Sequence, residues 1–302
     1  MELAPLRSHL YAPGNNPRLL EKVFSGGADA VTLDLEDAVP PSEKLRAREL
    51  VADTIRRRAD KTNPAIFVRI NHPSGGLAEA EIKAAVQPGL AGMRIPKIED
   101  AETVRQVAAW IEQAEVANGV PPGSVVLICT IESALGLMRA FEIASAHPRV
   151  LALGFGAADF VRDAGITPGP EGLETLYALS QLVVASRAAG IRPPIDSVYR
   201  HLDDPAGLEK SARLARALGF FGKSVIHPKQ VAIVNAVYSP TEEEIEHARK
   251  MVELAERAEA QGKGAIQDSR GEFIDVAVVR RAQGVLALAA RLANKQESDL
   301  VQ

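Results

Sequence analysis

Apolar and polar positions follow one another along this chain in two rhythms. Short, nearly unbroken apolar runs fall at His9-Leu10-Tyr11, Ala30 to Leu35, Ala65 to Ile70, Gly92 to Ile95, Val125 to Ile131, Val150 to Phe155, Arg192 to Ile195 and Ser224 to Ile226. Such runs suit strands buried on both faces, as parallel strands covered by helices are. Between them the spacing becomes helical. Val104, Val107, Ala108 and Ile111 make one stripe between Ala101 and Glu112, and Leu137, Met138, Phe141 and Ala144 recur between Ser133 and Ser145. Helix starts are marked by Asn16-Pro17 and Asp204-Pro205, each a capping side chain before a first-turn proline. Eight such alternations predict an α/β fold, a (β/α)8 TIM barrel over residues 1–238. The seventh run has the least strand character, because Pro193-Pro194 removes two ladder donors.

Past Ile226 the rhythm changes. After a helix expected over Val231 to Val237, Thr241 and Glu244 form a capping box that opens a helix running to Gln261. A polar loop over Gly262 to Gly271 and an amphipathic helix over Val276 to Leu292 follow. A barrel does not need these elements, so residues 239–302 are expected to form an appended C-terminal helical arm.

Composition narrows the partners. With 302 residues and 46% hydrophobic content the chain can bury a large core, and 35 basic against 39 acidic residues give no electrostatic footprint for nucleic acid. No apolar run approaches the ~20 residues of a membrane span, and Met1 to Ser8 carries no signal-peptide core, so a cytoplasmic protein is expected. The single cysteine, Cys129, lies mid-strand among aliphatics, which suits core packing and excludes an internal disulfide.

Barrel enzymes carry their reacting groups where strands end. Reading those ends gives Asp34-Leu35-Glu36-Asp37, Arg69-Ile70-Asn71, Arg94-Ile95-Pro96-Lys97, Glu132, Asp159 and His227-Pro228. Glu132 and Asp159 follow neighbouring apolar runs, and parallel neighbours lie roughly 4.8 Å apart. They are either unrelated acids or a pair that holds one metal ion. With no histidine or cysteine nearby, the pair favours a hard cation such as Mg²⁺, which takes further oxygens from water and substrate. A 2-hydroxy or 2-oxo acid would chelate it, which suits making or breaking a C–C bond beside the carbonyl. Arg69, at the rim of the core, needs a partner: a salt bridge to Glu36 or Asp37, or a ligand oxygen. Lys97 offers a Schiff base or an ion pair with Glu99, and His227 a general base or a structural turn.

Six motifs in order carry a family resemblance. Arg7-Ser8-His9-Leu10-Tyr11-Ala12-Pro13-Gly14-Asn15-Asn16-Pro17-Arg18, Leu33-Asp34-Leu35-Glu36-Asp37-Ala38-Val39, Val68-Arg69-Ile70-Asn71, Ile131-Glu132-Ser133, Gly156-Ala157-Ala158-Asp159-Phe160 and Gly222-Lys223-Ser224-Val225-Ile226-His227-Pro228 resemble the citrate lyase β-subunit-like family. That family includes malyl-CoA and citramalyl-CoA lyases, within the HpcH/HpaI aldolase superfamily. The resemblance implies a Mg²⁺-dependent lyase that cleaves or condenses a 3-hydroxyacyl-CoA such as malyl-, citramalyl- or citryl-CoA, with acetyl-CoA and a 2-oxo acid as products. It implies Glu132 and Asp159 as metal ligands and Arg69 as the residue gripping substrate. It places the CoA handle along Tyr11, Arg18, Lys22, Lys44 and Arg48 and the backbone at Val225 and Ile226, where cations suit phosphates. It makes Asp275, supplied by the arm of a neighbouring subunit, the acid/base, with Asp268 as an alternate, and implies a homotrimer or hexamer. The loop Asp268-Ser269-Arg270-Gly271-Glu272 is about one residue longer than the family pattern, and Phe273 stands where methionine is common. Rival readings are a CoA-independent 2-oxo acid aldolase and a citrate lyase β subunit working on a carrier-protein thioester.

Overall fold

Seven of the eight apolar runs form strands of one parallel sheet in a computed structural model that describes residues 3–59, 64–169, 172–259, 266–267 and 273–301. They are β1 (Ser8–Pro13), β2 (Ala30–Asp34), β3 (Ala65–Arg69), β4 (Leu90–Ile95), β5 (Val126–Ile131), β6 (Val150–Phe155) and β7 (Lys223–Val225), in the order β6-β5-β4-β3-β2-β1-β7. The seventh run behaves as its prolines require. It makes no strand, yet Arg192 N–H donates to Leu151 O and Ile195 N–H to Leu153 O on the β6 side, both at 2.9 Å. On the other side Asp196 N–H donates to Gly222 O and Ser224 N–H to Asp196 O, also at 2.9 Å. One irregular segment therefore hydrogen-bonds to both edges of the sheet, and the curled arrangement fits a TIM-like barrel.

Helical stripes bury as spacing demands where the helix is continuous. Ala101–Asn118 buries Val104, Val107, Ala108 and Ile111, and Asn16 and Asp204 cap their helices by accepting from Leu19 and Gly207 amides. Between Ser133 and Ser145 the expectation needs correcting. Two short helices, Ala134–Met138 and Ala140–Ala144, meet at Arg139, which resets the phase and buries Leu137, Ala140, Ile143 and Ala144. Met138 and Phe141 are left 71% and 50% exposed.

The chain divides into two compact units, Leu6–Asn235 and a second comprising Glu2–Pro5 with Ala236–Gln302. In the second, Ala248, Met251, Ile274 and Ala282 form a buried cluster between the helices Glu242–Glu259 and Val276–Val301. The capping box is present: Glu244 N–H donates to Thr241 Oγ1, and Thr241 N–H to Glu244 Oε2. Part of the expected polar loop is a strand pair, Ile266–Gln267 against Phe273–Ile274. No helix among the described residues is long and apolar enough to cross a membrane.

Candidate active site

Acids and arginines meet at the C-terminal ends of the strands because the sheet register sets them side by side. Asp34 aligns with Arg69, and Arg69 with Arg94. Arg69 grips Asp34 through two parallel bonds, Nε to Oδ1 at 2.7 Å and Nη2 to Oδ2 at 2.6 Å, while Nη1 lies 2.8 Å from Glu36 Oε2. Burial would discourage its charge, but Asp34, Tyr11 and Glu36 together raise its pKa above the ordinary value. Two of its five N–H donors bond Asp34, and the Glu36 contact is an ion pair rather than a hydrogen bond. The Arg69 and Arg94 guanidiniums lie 5.2 Å and 5.5 Å from the Tyr11 ring centroid.

Lys97 links this cluster to Glu132. Its ammonium reaches Glu36 Oε1 at 2.7 Å and Asp37, and its backbone N–H donates to Glu132 Oε1 at 2.7 Å. It does this in a left-handed conformation, φ 53°, unusual for a residue with a Cβ. Glu36 and Asp37, not Glu99, hold the ammonium, and these bonds outweigh burial and raise its pKa. A lysine kept protonated in this way is a poor Schiff-base nucleophile.

Glu132 is 6% exposed and lies against Gly156, where a Cβ would come within 2.5 Å of Oε2. Burial pushes its carboxyl up to about 7, with Asp159 and Glu36 adding to the rise and the Lys97 amide and Arg69 opposing it. Asp159 occupies the first turn of the helix Ala157–Asp163, directly after Gly156, and its pairing partner Arg162 is 75% exposed. The structure thus brings Glu132, Asp159, Glu36 and Arg69 into one electrostatic neighbourhood. No group of three or more His, Cys, Asp or Glu among the described residues could hold a metal. Two crowded carboxylates still fit Mg²⁺, because Mg²⁺ takes one or two carboxylates and fills its shell with water and substrate oxygens.

The remaining candidates are placed as follows. Arg18 and Lys22 are exposed on the helix Pro17–Lys22, and Arg48 is half-buried on Lys44–Arg56. Lys44 spends its three donors on Leu35 O, Glu36 O and Asn71 Oδ1, which anchors the loop carrying Glu36. Val225 is buried; Ile226 is 41% exposed and its N–H is held by Gln230 Oε1 at 3.0 Å. His227 Nδ1 accepts from Lys229 N–H, which is turn geometry. Cys129 is fully buried and its thiol pushed up to about 12, as core packing requires. In the second unit Asp275 Oδ1 accepts from the Ala277 and Val278 amides, capping the last helix and leaving Oδ2 unused in these bonds. Asp268 lies outside the described residues. Sequence reasoning missed Asp34 as the main partner of Arg69, and it assigned no role to Arg94, although a charge inside Met93-Arg94-Ile95 was a visible signal.

Residues 7–228 match the family model described as HpcH/HpaI aldolase/citrate lyase. The chain is 38% identical over 283 residues to the citrate lyase subunit beta of Leuconostoc mesenteroides subsp. cremoris, covering 94% of this chain and 93% of that protein. It is 34% identical over 306 residues to the L-malyl-CoA/beta-methylmalyl-CoA lyase of Cereibacter sphaeroides, covering 94% and 95%. The Mycobacterium tuberculosis protein CitE, solved with magnesium, acetoacetate and coenzyme A, superposes with a TM-score of 0.76 at 27% identity, covering 95% of this chain and 98% of that one. A citrate lyase beta subunit from the same organism, complexed with oxaloacetate and magnesium, gives 0.67 at 28% identity, covering 80% and 100%. The matched span and the identity over nearly the whole length show that the chain belongs to the HpcH/HpaI aldolase/citrate lyase family.

Proposed function

We propose that the protein is a Mg²⁺-dependent carbon–carbon lyase that splits a 3-hydroxyacyl thioester into an acetyl thioester and a 2-oxo acid, or runs the condensation. The observation that carries this reading is the 6% exposed Glu132 carboxylate at the end of β5, pressed against Gly156 one turn before Asp159, on the same rim where the Asp34 fork holds Arg69. Similarity to proteins solved with magnesium, coenzyme A and oxaloacetate supports it. Residues 1–238 form the (β/α)8 barrel, and 239–302 an arm that packs on a neighbouring subunit of a homotrimer or hexamer.

Glu132 and Asp159 would hold the ion, which when bound supplies Lewis-acid polarisation of the 2-oxo acid oxygens. Arg69, rigid in its Asp34 fork, presents its remaining N–H groups to the negative charge that gathers on a carboxylate or enolate oxygen. In cleavage a carboxylate removes the proton of the 3-hydroxyl, and the C–C bond electrons pass to the thioester as an enolate. Condensation reverses this. Asp275 Oδ2, from the partner arm, is the acid/base in this reading. Arg18, Lys22 and Arg48 meet the phosphates of the handle beside Tyr11, while Lys44 acts through the loop it anchors.

Assaying malyl-, citramalyl- and citryl-thioesters of CoA and of a carrier protein for 2-oxo acid, with and without Mg²⁺, tests the reading. Thiol release without 2-oxo acid would replace it with hydrolysis, the activity named for a (3S)-malyl-CoA thioesterase 34% identical over 290 residues. Asp275→Asn is expected to stop turnover while CoA still binds; unchanged turnover removes the arm from the mechanism.

A further inference from the structure

One cation beside the site has no acid of its own. Arg94 is 2% exposed, yet no carboxylate lies in ion-pair range of it among the described residues. Nη1 donates to the Tyr11 hydroxyl at 2.6 Å and to Ser224 Oγ at 3.2 Å, while Nε and Nη2 have no hydrogen-bond partner. The contrast with the partly buried arginines is plain: Arg69 holds Asp34, Arg7 holds Asp29, and Arg149 holds Glu115.

The buried imidazole that feels its charge, His9, supplies no anion. His9, tilted against Phe67 with ring centroids 5.5 Å apart, leaves both ring nitrogens without a hydrogen-bond partner. Burial and Arg94 itself keep His9 neutral. Nearby Asp29 is already bound by Arg7 through Nε and Nη2. A guanidinium keeps its proton in a protein, so a buried one left without an anion carries an uncompensated charge that an anionic ligand would offset.

We propose that Arg94 is a specificity-determining residue that receives a second carboxylate of the substrate. The inference rests on the lyase reading and deepens it: the site is built for thioesters that release a dicarboxylic 2-oxo acid, in preference to a monocarboxylic one. Arg69 and Arg94 are neighbours in the β3–β4 register and both carry their guanidiniums against the Tyr11 ring, at 5.2 Å and 5.5 Å from its centroid, so the two cations share one aromatic side chain. Arg69 takes the carboxylate beside the carbonyl. Arg94 takes the distal one, which displaces the half-buried Tyr11 hydroxyl from Nη1 and engages Nη2.

The test compares wild type with Arg94→Gln and Arg94→Lys. The ratio of kcat/KM for citryl-CoA, which releases oxaloacetate, to that for citramalyl-CoA, which releases pyruvate, is the readout. Gln is expected to lower the ratio about 10²-fold, and Lys, which keeps the charge but loses the fork, about tenfold. Calorimetry with Mg²⁺ present should show oxaloacetate affinity falling about as far in Gln, with pyruvate affinity moving much less. An equal fall for both substrates makes Arg94 structural and overturns the proposal, as does a wild type that cleaves citramalyl-CoA and rejects citryl-CoA. Chloride-dependent stabilisation lost in Gln, with the ratio unchanged, would assign the arginine to an inorganic anion and equally overturn it. If wild type cleaves no thioester, the lyase reading fails, and the oxaloacetate-to-pyruvate binding comparison still decides the role of Arg94.

Discussion

Two pairs of carboxylates stand on one rim and are treated in opposite ways. On the β2 side Asp34 and Glu36 are neutralised by Arg69 and Lys97, with bonds of 2.6 to 2.8 Å. On the β5 and β6 side, among the described residues, Glu132 accepts from the Lys97 backbone amide and Asp159 pairs with the exposed Arg162. An exposed pair of that kind contributes little and is screened by salt. The first pair is a scaffold that aims an arginine. The second has no buried cation against it, which is what the proposed metal site needs.

The sharpest way to break this contrast is to remove one acid from each side. Glu132→Gln should lower Mg²⁺-dependent turnover by roughly 10³-fold or more while leaving the circular dichroism spectrum unchanged. Full activity in that variant would end the metal assignment. Asp34→Asn should instead act on the fold, because it breaks the forked pair and leaves Arg69 with Glu36 alone, an acid it already shares with Lys97. Its expected cost is roughly 3–5 kcal/mol in urea unfolding. A small stability loss there with a large metal effect would exchange the two roles.

Much of this was legible in the chain, and the reason is local. Strands buried on both faces write unbroken apolar runs, so β1 to β7 could be read directly, and Pro193-Pro194 announced the irregular segment that replaces an eighth strand. Partner choice was not legible, because it is set by register. Sequence offered Glu36 or Asp37 to Arg69; Glu36 is indeed in ion-pair range, but the β2–β3 pairing puts Asp34 directly beside it as the forked partner and leaves Asp37 to Lys97. Arg94 could not be interpreted at all from one strand, since its neighbours Tyr11 and Ser224 arrive from β1 and β7 only when the sheet curls.

pH separates the two sides further. Glu132, raised from 4.5 to about 7, binds its proton more tightly folded than unfolded. In metal-free protein its contribution is therefore fully present below about pH 4.5 and is lost as pH rises through about 7. The loss amounts to about 3 kcal/mol at most. Urea unfolding in chelator at pH 5 and pH 8 should show it as a difference between wild type and Glu132→Gln. Mg²⁺ must displace the same proton, so its affinity should weaken as pH falls below about 7. An affinity independent of pH from 6 to 8 would place the ion elsewhere.

The smallest effect lies at Lys97, which joins the two sides. Its ammonium belongs to the neutralised pair, its amide to Glu132, and its φ of 53° is what lets one residue serve both. Glycine adopts that conformation without the Cβ penalty, so Lys97→Gly and Lys97→Ala lose the same ion pairs but differ in strain. Glycine's looser unfolded chain offsets part of the advantage. Lys97→Gly should still be the more stable by about 1 kcal/mol. It should also hold Mg²⁺ better, because the amide that fixes Glu132 Oε1 stays in place. If alanine proves equal in both measurements, the left-handed turn carries no strain and the coupling between the two carboxylate pairs runs through the ammonium alone.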